Sequence, residues 1–205
     1  QNDLFSQLAL QEKQPNLAAN VVAALAAAYG QPPTPEAIFH YVYAVLYADA
    51  YREQYADFLR GDFPRIPFTA DVELFQELAT LGARLTALHL LRAPELDPPL
   101  ARFEGDGDSR VAHNAGQGFR YDADAERVFI NPTQYFAPVA PELWEYQIGG
   151  YQVLEKWLKD RRDRRLTLEE IKTYCRVVTA IRRTLEVQAA IDALYPAVEK
   201  SVVQV

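Results

Sequence analysis

Methionine is absent from the 205 residues, and cysteine occurs once, as Cys175 inside a helical pattern. A single thiol excludes an intrachain disulfide framework and a zinc cluster built on cysteines, so a reduced, cytoplasmic setting is expected. The missing initiator points to a fragment or a processed chain. Histidine is scarce as well: His40, His89 and His113 lie far apart, the first two in apolar helical patterns. Without a His-x-x-x-His spacing or a neighbouring carboxylate pair, no metal site is expected. No apolar run approaches the roughly 20 residues that a bilayer span needs. The polar start Gln1-Asn2-Asp3 has neither the charged nor the apolar part of a signal peptide, so no membrane partner is expected.

What is present is an ordinary globular composition, 49% hydrophobic, which is enough to bury a substantial core. Leu4 to Leu10 fits a strand or an irregular extension equally. From Asn16, the positions Leu17, Val21, Val22, Leu25 and Tyr29 follow a helical period up to Gly30, a natural C-terminal cap. Pro32, Pro33 and Pro35 enforce an extended link, and Thr34-Pro35-Glu36 opens a helix that is apolar from Ala37 to Leu46 and is expected to be buried on most sides. Asp49 reads as the N-cap of a further helix ending at Gly61. A proline-studded loop, Asp62 to Phe68, leads into a helix over Asp71 to Leu91 with leucines at clear 3.6 spacing.

After Pro94, prolines and glycines punctuate a polar segment in which loops dominate. Phe119 to Tyr121 and Arg127 to Ile130 read as a hairpin with one covered face. Pro141-Glu142 starts a turn of helix through Trp144 and Tyr146, and Gly149-Gly150 frees the backbone. Val153, Leu154, Trp157 and Leu158 recur at helical spacing, and Arg161 to Arg165 is a connection. Thr167 with Glu170 forms a capping box that opens a last helix to Leu194, followed by Pro196 and a frayed tail. The expected class is α+β and predominantly helical, with a small β-hairpin or sheet region inserted around residues 100–135. The expected division is an N-terminal extension with a short helix (1–34), a main domain (35–195: helical 35–93, loop and hairpin 94–140, helical 141–195) and a tail (196–205).

Charge is segregated along the chain. Lys156 to Arg183 holds ten basic residues against four acidic ones, a balance of +6, whereas the whole chain carries −7 and its remainder therefore −13. Such asymmetry suits a protein that offers one face to a polyanion. A solvated helical face laced with i,i+4 ion pairs explains the same charges without a partner.

No catalytic constellation emerges. Glu170-Ile171-Lys172 matches the acid-x-lysine half of a metal-dependent nuclease site, but capping and a surface ion pair account for it. Asp97-Pro98-Pro99-Leu100 resembles the Asp/Asn-Pro-Pro-aromatic loop of amino-group DNA methyltransferases, yet Leu100 offers no ring to stack on a flipped base. The glycine-rich loop that would cradle S-adenosylmethionine is also missing. Asp97 is therefore read as part of a proline-stiffened turn, and no catalytic residue is assigned.

Four ordered blocks carry a family likeness: Glu36-Ala-Ile-Phe-His-Tyr-Val-Tyr-Ala-Val-Leu-Tyr, Tyr51-Arg-Glu-Gln-Tyr, Asp62-Phe-Pro-Arg-Ile-Pro-Phe, and Trp144-Glu-Tyr-Gln-Ile-Gly-Gly-Tyr-Gln-Val-Leu-Glu-Lys-Trp-Leu-Lys-Asp-Arg. Together, over about Pro35 to Leu194, they resemble the C-terminal specificity domain of single-chain restriction-modification enzymes. These are the type ISP and related type IIG proteins, which have an adenine-N6 methyltransferase core. The resemblance implies a module that reads double-stranded DNA for an N-terminal methyltransferase domain. S-adenosylmethionine would be bound by that parent, with no cofactor in this chain.

For that role, Arg110, His113, Asn114, Gln117 and Arg120 are candidate base readers, with Asn131, Gln134 and Gln147 behind them. Arginine suits guanine, and asparagine or glutamine suits adenine, through paired hydrogen bonds. Serving exposed turns is the competing role for each. Arg65, Lys156, Lys159, Arg161, Arg162, Arg164 and Arg165 are the phosphate candidates; for Arg65, bonding carbonyls of the proline loop is the alternative. A rival function is a helical docking module whose aromatic helix, Ile38 to Tyr47, meets another protein domain with no direct DNA readout.

Overall fold

The computed structural model describes residues 15–113 and 119–204. The expectation for residues 4–10 and the reader candidates Asn114 and Gln117 lie outside the described residues. The chain divides into two compact units, Gln1–Gly82 with Ile191–Val205 and Ala83–Ala190.

In the first unit, helix α1 (Ala19–Tyr29) ends at Gly30 with a left-handed backbone. Helix α2 (Pro35–Tyr47) begins as its sequence directs, with the Thr34 hydroxyl accepting the Ala37 N–H at 3.1 Å. Its core face is Ile38, Tyr41, Ala44 and Val45, and from Ala37 to Leu46 only Phe39, 52% exposed, lies open to solvent, so the helix is covered on most sides. The next turn differs from expectation. Ala48, and not Asp49, occupies the cap position of α3 (Asp49–Gln54): the Ala48 N–H still bonds back to Ala44 and Val45, while its carbonyl already accepts the Arg52 N–H. Asp49 sits in the first turn, where a carboxylate complements the helix dipole, and pairs with Arg52. The helix breaks at Tyr55, and α4 (Ala56–Leu59) follows.

Helix α5 (Val72–His89) is capped by Asp71, whose Oδ1 accepts the N–H groups of Glu73 and Leu74. At Gly82 the helix passes so close to α2 that a Cβ there would lie 1.8 Å from the His40 carbonyl oxygen. Tyrosine hydroxyls tie down the proline loop before α5. Tyr41 donates to the Pro67 carbonyl and accepts from the Thr69 N–H, Tyr29 donates to the Thr69 carbonyl, and Tyr51 donates to the Arg65 carbonyl. The Tyr41 ring stacks on Phe68 and Phe75, with centroids 5.3 and 4.9 Å away. Burial pushes the Tyr29 phenol up to about 12.

The last helix, α8 (Leu168–Val198), runs through Pro196 instead of stopping before it. Proline removes only one backbone bond, and buried Tyr195 and Val198 hold the final turn. Nor is the tail frayed: the Ala70 N–H donates to the Ser201 carbonyl at 2.7 Å and the Val203 N–H to Phe68 at 2.8 Å. These bonds dock residues 201–203 along the loop before α5.

The second unit is built on a four-stranded antiparallel sheet of order β1-β4-β3-β2, with β1 Arg102–Glu104, β2 Arg120–Asp122, β3 Arg127–Phe129 and β4 Tyr135–Ala137. The expected hairpin is β2–β3. Strands β1 and β4 fall in the stretch read as loops; each has only three residues, too few to show alternation. The inner face carries Phe103, Tyr121, Val128 and Phe136, which pack with Leu143, Leu154, Leu158, Tyr174 and Val178 of the helices. Phe136 and Tyr174 centroids lie 4.2 Å apart.

Helix α6 (Pro141–Trp144) ends before Tyr146, shorter than expected. The chain there enters a two-stranded ribbon, β5 Gln147–Ile148 and β6 Tyr151–Gln152. Gly149 and Gly150 both have positive φ, 59° and 82°, the geometry of a tight hairpin turn that side-chain-bearing residues resist. Helix α7 (Val153–Lys159) follows, buried through Leu154 and Leu158. Among the described residues the molecule is predominantly helical with one small sheet and one ribbon, the α+β class expected. Among the described residues no helix is long and apolar enough to cross a membrane.

Candidate nucleic-acid interface

Two polar segments read as separate loops are zipped together. The Val111 N–H donates to the Arg164 carbonyl, the Asp163 N–H to the Val111 carbonyl, and the Leu166 N–H to the Ser109 carbonyl, all within 2.9 Å. The Arg161–Arg165 connection is thus fixed against residues 109–111. Asp163 adopts a left-handed backbone with φ 60°, a conformation aspartate tolerates better than most residues. Its carbonyl accepts Arg110 Nη1 at 2.7 Å, and its carboxylate lies 2.6 Å from His113 Nδ1. Asp108 performs the matching task on the other side, accepting the Arg110 N–H at 3.0 Å and Arg165 Nε at 3.1 Å. That backbone N–H, followed by the Arg165 and Arg110 charges, holds the Asp108 carboxyl below its ordinary range. Sequence reasoning missed both aspartates. Their only signal was position, one in the Gly105-Asp106-Gly107-Asp108 turn and one within the arginine run.

The remaining reader candidates separate into different places. Gln134 is 3% exposed, and its Oε1 accepts from the Ser109 N–H and from Asn131 Nδ2. Buried with its carbonyl engaged, it organises the loop and presents no edge to a base, which corrects its assignment. Asn131 is corrected likewise: its Oδ1 accepts the N–H groups of Thr133 and Gln134, and its Nδ2 donates to the Arg110 carbonyl. Both form the floor under Arg110. Arg120 lies on the sheet, its guanidinium 3.8 Å from the centre of the Phe129 ring. Gln147 is exposed on the β5–β6 ribbon. Arg110 and His113 are therefore the two candidates brought together at an exposed joint, beside a shallow depression of about 370 Å3 lined by Asp108, Arg110, Asn131 and Thr133.

The phosphate candidates are mostly committed to partners. Lys156 pairs with Asp160 and Lys159 with Glu155, the i,i+4 bridges of a solvated helix face. Arg161 donates to Glu170 and to the Trp157 carbonyl and lies 3.6 Å above the Trp157 ring; Arg164 also donates to Glu170. Glu170 closes the expected capping box, accepting the Thr167 N–H while the Thr167 hydroxyl accepts the Glu170 N–H. Its carboxyl is held down first by that Thr167 N–H and then by the arginines. Arg162 alone of the run has no carboxylate partner among the described residues; its guanidinium is 5.6 Å from the Phe119 ring centre. Arg65 belongs to the other unit, is 91% exposed at its side chain, and bonds no carbonyl of its loop among the described residues. On α8, Lys172, Arg176, Arg182 and Arg183 are likewise paired with carboxylates. Asp97 follows a short 3-10 turn at a cis proline and faces Arg176, as expected for a structural turn.

Residues 1–189 match the family model described as the type ISP C-terminal specificity domain. The chain belongs to that family. The match includes the first 34 residues, where the four-block likeness had no motif. None of the curated proteins compared matches the chain. Among solved structures, the specificity domain resembles part of DrdV in a cryoEM structure of a DrdV–DNA complex, with TM-score 0.61 and 24% identity over 87% of this chain and 19% of that one. It also resembles a nuclease-deletion mutant of the type ISP restriction-modification enzyme LlaGI in complex with a DNA substrate mimic (TM-score 0.58, 21% identity, 78% of this chain and 14% of that one). A third similar structure is the ATP-dependent type ISP restriction-modification enzyme LlaBIII bound to DNA (TM-score 0.59, 16% identity, 85% and 12%). The chain thus spans less than a fifth of each of these proteins, and at these identities the likeness is one of fold.

Proposed function

We propose that the chain reads a DNA target sequence for a catalytic domain carried elsewhere in its parent. That parent is an S-adenosylmethionine-dependent adenine-N6 DNA methyltransferase of a restriction-modification system, with or without an attached nuclease. The partners are then double-stranded DNA and the N-terminal methyltransferase domain, and the cofactor belongs to the latter. The observation that carries the reading is the joint at Arg110 and His113. Two side chains able to meet base edges are held by Asp108, Asp163 and the Gln134–Asn131 floor within a domain of the specificity family. A preorganised arginine at a protein surface suits bidentate contact with guanine.

Selection of duplexes from a random-sequence pool tests it. The 205-residue chain is expected to enrich one motif, and Arg110→Ala to relax the choice at one position of that motif, a loss of about 1–3 kcal/mol of discrimination. Failure to enrich any sequence would defeat the reading. The exposure of Phe39 on α2 favours a docking role for that helix too. A docking module without readout would leave the pool unsorted, which separates the two functions.

A further inference from the structure

The sheet has an outer face that the joint does not use. Register sets its composition: Arg120 lies opposite Phe129, Phe129 opposite Tyr135, and Tyr135 opposite Glu104, in one row across all four strands. Alternation puts Arg127, Asp122 and Arg102 on the same side, because the intervening residues Tyr121, Val128 and Phe103 face the core. Arg120 covers the Phe129 ring, and Arg127 covers the Tyr135 ring at 4.4 Å. Among the described residues, none of Arg102, Arg120 and Arg127 has a carboxylate partner, in contrast with most of the Lys156–Arg183 segment. The two acids of the face have local bonds, Glu104 accepting from the Tyr135 hydroxyl and Asp122 from the Ala125 N–H. Three arginines against two acids leave the face positive in a chain whose net charge is −7.

Resting on the target-recognition reading, we infer that this outer sheet face lies against the phosphate backbones of duplex DNA, with Arg102, Arg120 and Arg127 as the contacting groups. Arg102 on β1 and Arg120 on β2 stand at opposite edges, three strand spacings apart, roughly 14 Å. That span is close to the width of the B-DNA major groove, about 12 Å, so the two edges meet the phosphates on its two lips. A guanidinium resting on an aromatic ring is held in place without using its in-plane N–H donors, which stay free for phosphate oxygens. The inference moves Arg120 from base reading to backbone contact. It also gives the domain a cationic surface distinct from the arginine run.

Two triple variants test the charge argument: Arg102→Gln/Arg120→Gln/Arg127→Gln, and the same positions changed to lysine. Anisotropy of a labelled duplex is titrated with the 205-residue chain over a potassium chloride series. Each phosphate contact contributes about one unit to the slope of log affinity against log salt, so the glutamine variant is expected to lose about three units and the lysine variant to keep them. A glutamine variant with the unaltered slope overturns the inference. So does a lysine variant that falls equally, because the loss would then come from packing on Phe129 and Tyr135 and not from charge. If the unaltered chain shows no salt-dependent binding, target recognition itself fails and takes this inference with it. Binding by the unaltered chain with no change in the variants removes the sheet face alone.

Discussion

Glu170 joins three parts of the second unit: it caps α8 through Thr167, and its Oε1 accepts Arg161 and Arg164 from the arginine connection. Its side chain is 20% exposed, so solvent screens these contacts only in part. A carboxyl held below its ordinary range stabilises the fold at every pH above that range and ceases to do so as pH falls through its folded pKa. Glu170→Gln, which keeps a capping acceptor but loses the charge, is expected to cost on the order of 1 kcal/mol at neutral pH. The difference from the unaltered chain should close as pH falls below about 4.3. Urea denaturation at stepped pH checks it; a gap that persists in acid would show that charge is not the cause. This capping box was legible because its two members are three positions apart. Gln134 was not: its partner Ser109 is 25 positions away, and an amide in a polar loop looks the same in sequence whether it faces DNA or a buried N–H.

Helices were legible where one apolar stripe repeats over three or more turns, as in α2, α5 and α8. Strands β1 and β4 were not, because three residues carry little pattern and their pairing depends on each other across 31 to 35 positions of chain. The C-terminal tail was misjudged for the same reason, since the loop that receives it is far away in sequence. Gly82 belongs to a third class, a residue whose role only packing reveals. In an isolated helix, Gly→Ala gains about 1 kcal/mol of propensity. Here the added methyl meets the His40 backbone at 1.8 Å, and no side chain can move aside to admit it. Gly82→Ala is therefore expected to lower stability by about 1–3 kcal/mol or more, through separation of α5 from α2. Thermal denaturation followed by circular dichroism decides the sign, and a rise in the midpoint would mean that the helices yield freely.

Over the whole molecule, formal charge misleads unless pairing is subtracted. The sequence shows +6 between Lys156 and Arg183, but Lys156, Lys159, Arg161, Arg164 and Arg165 each spend their charge on a neighbouring carboxylate, and two of those carboxylates, Glu155 and Asp108, lie outside the stretch counted. A cation already neutralised within the protein adds little to counterion release on DNA, because its carboxylate must be approached by the same phosphate. Arg162 is the exception in the run, exposed and beside the Phe119 ring with no acid paired to it among the described residues. If the chain contacts DNA through this region, Arg162→Gln should weaken binding to all sequences alike and reduce the salt slope by about one unit. Removing a complete pair, Lys156→Ala with Asp160→Ala, should leave the slope where it was. Titrations of a labelled duplex at several salt concentrations compare the two. Equal losses from both variants would show that the α7 pair opens on binding, and that the sequence count of +6 was the better guide to the surface that DNA meets.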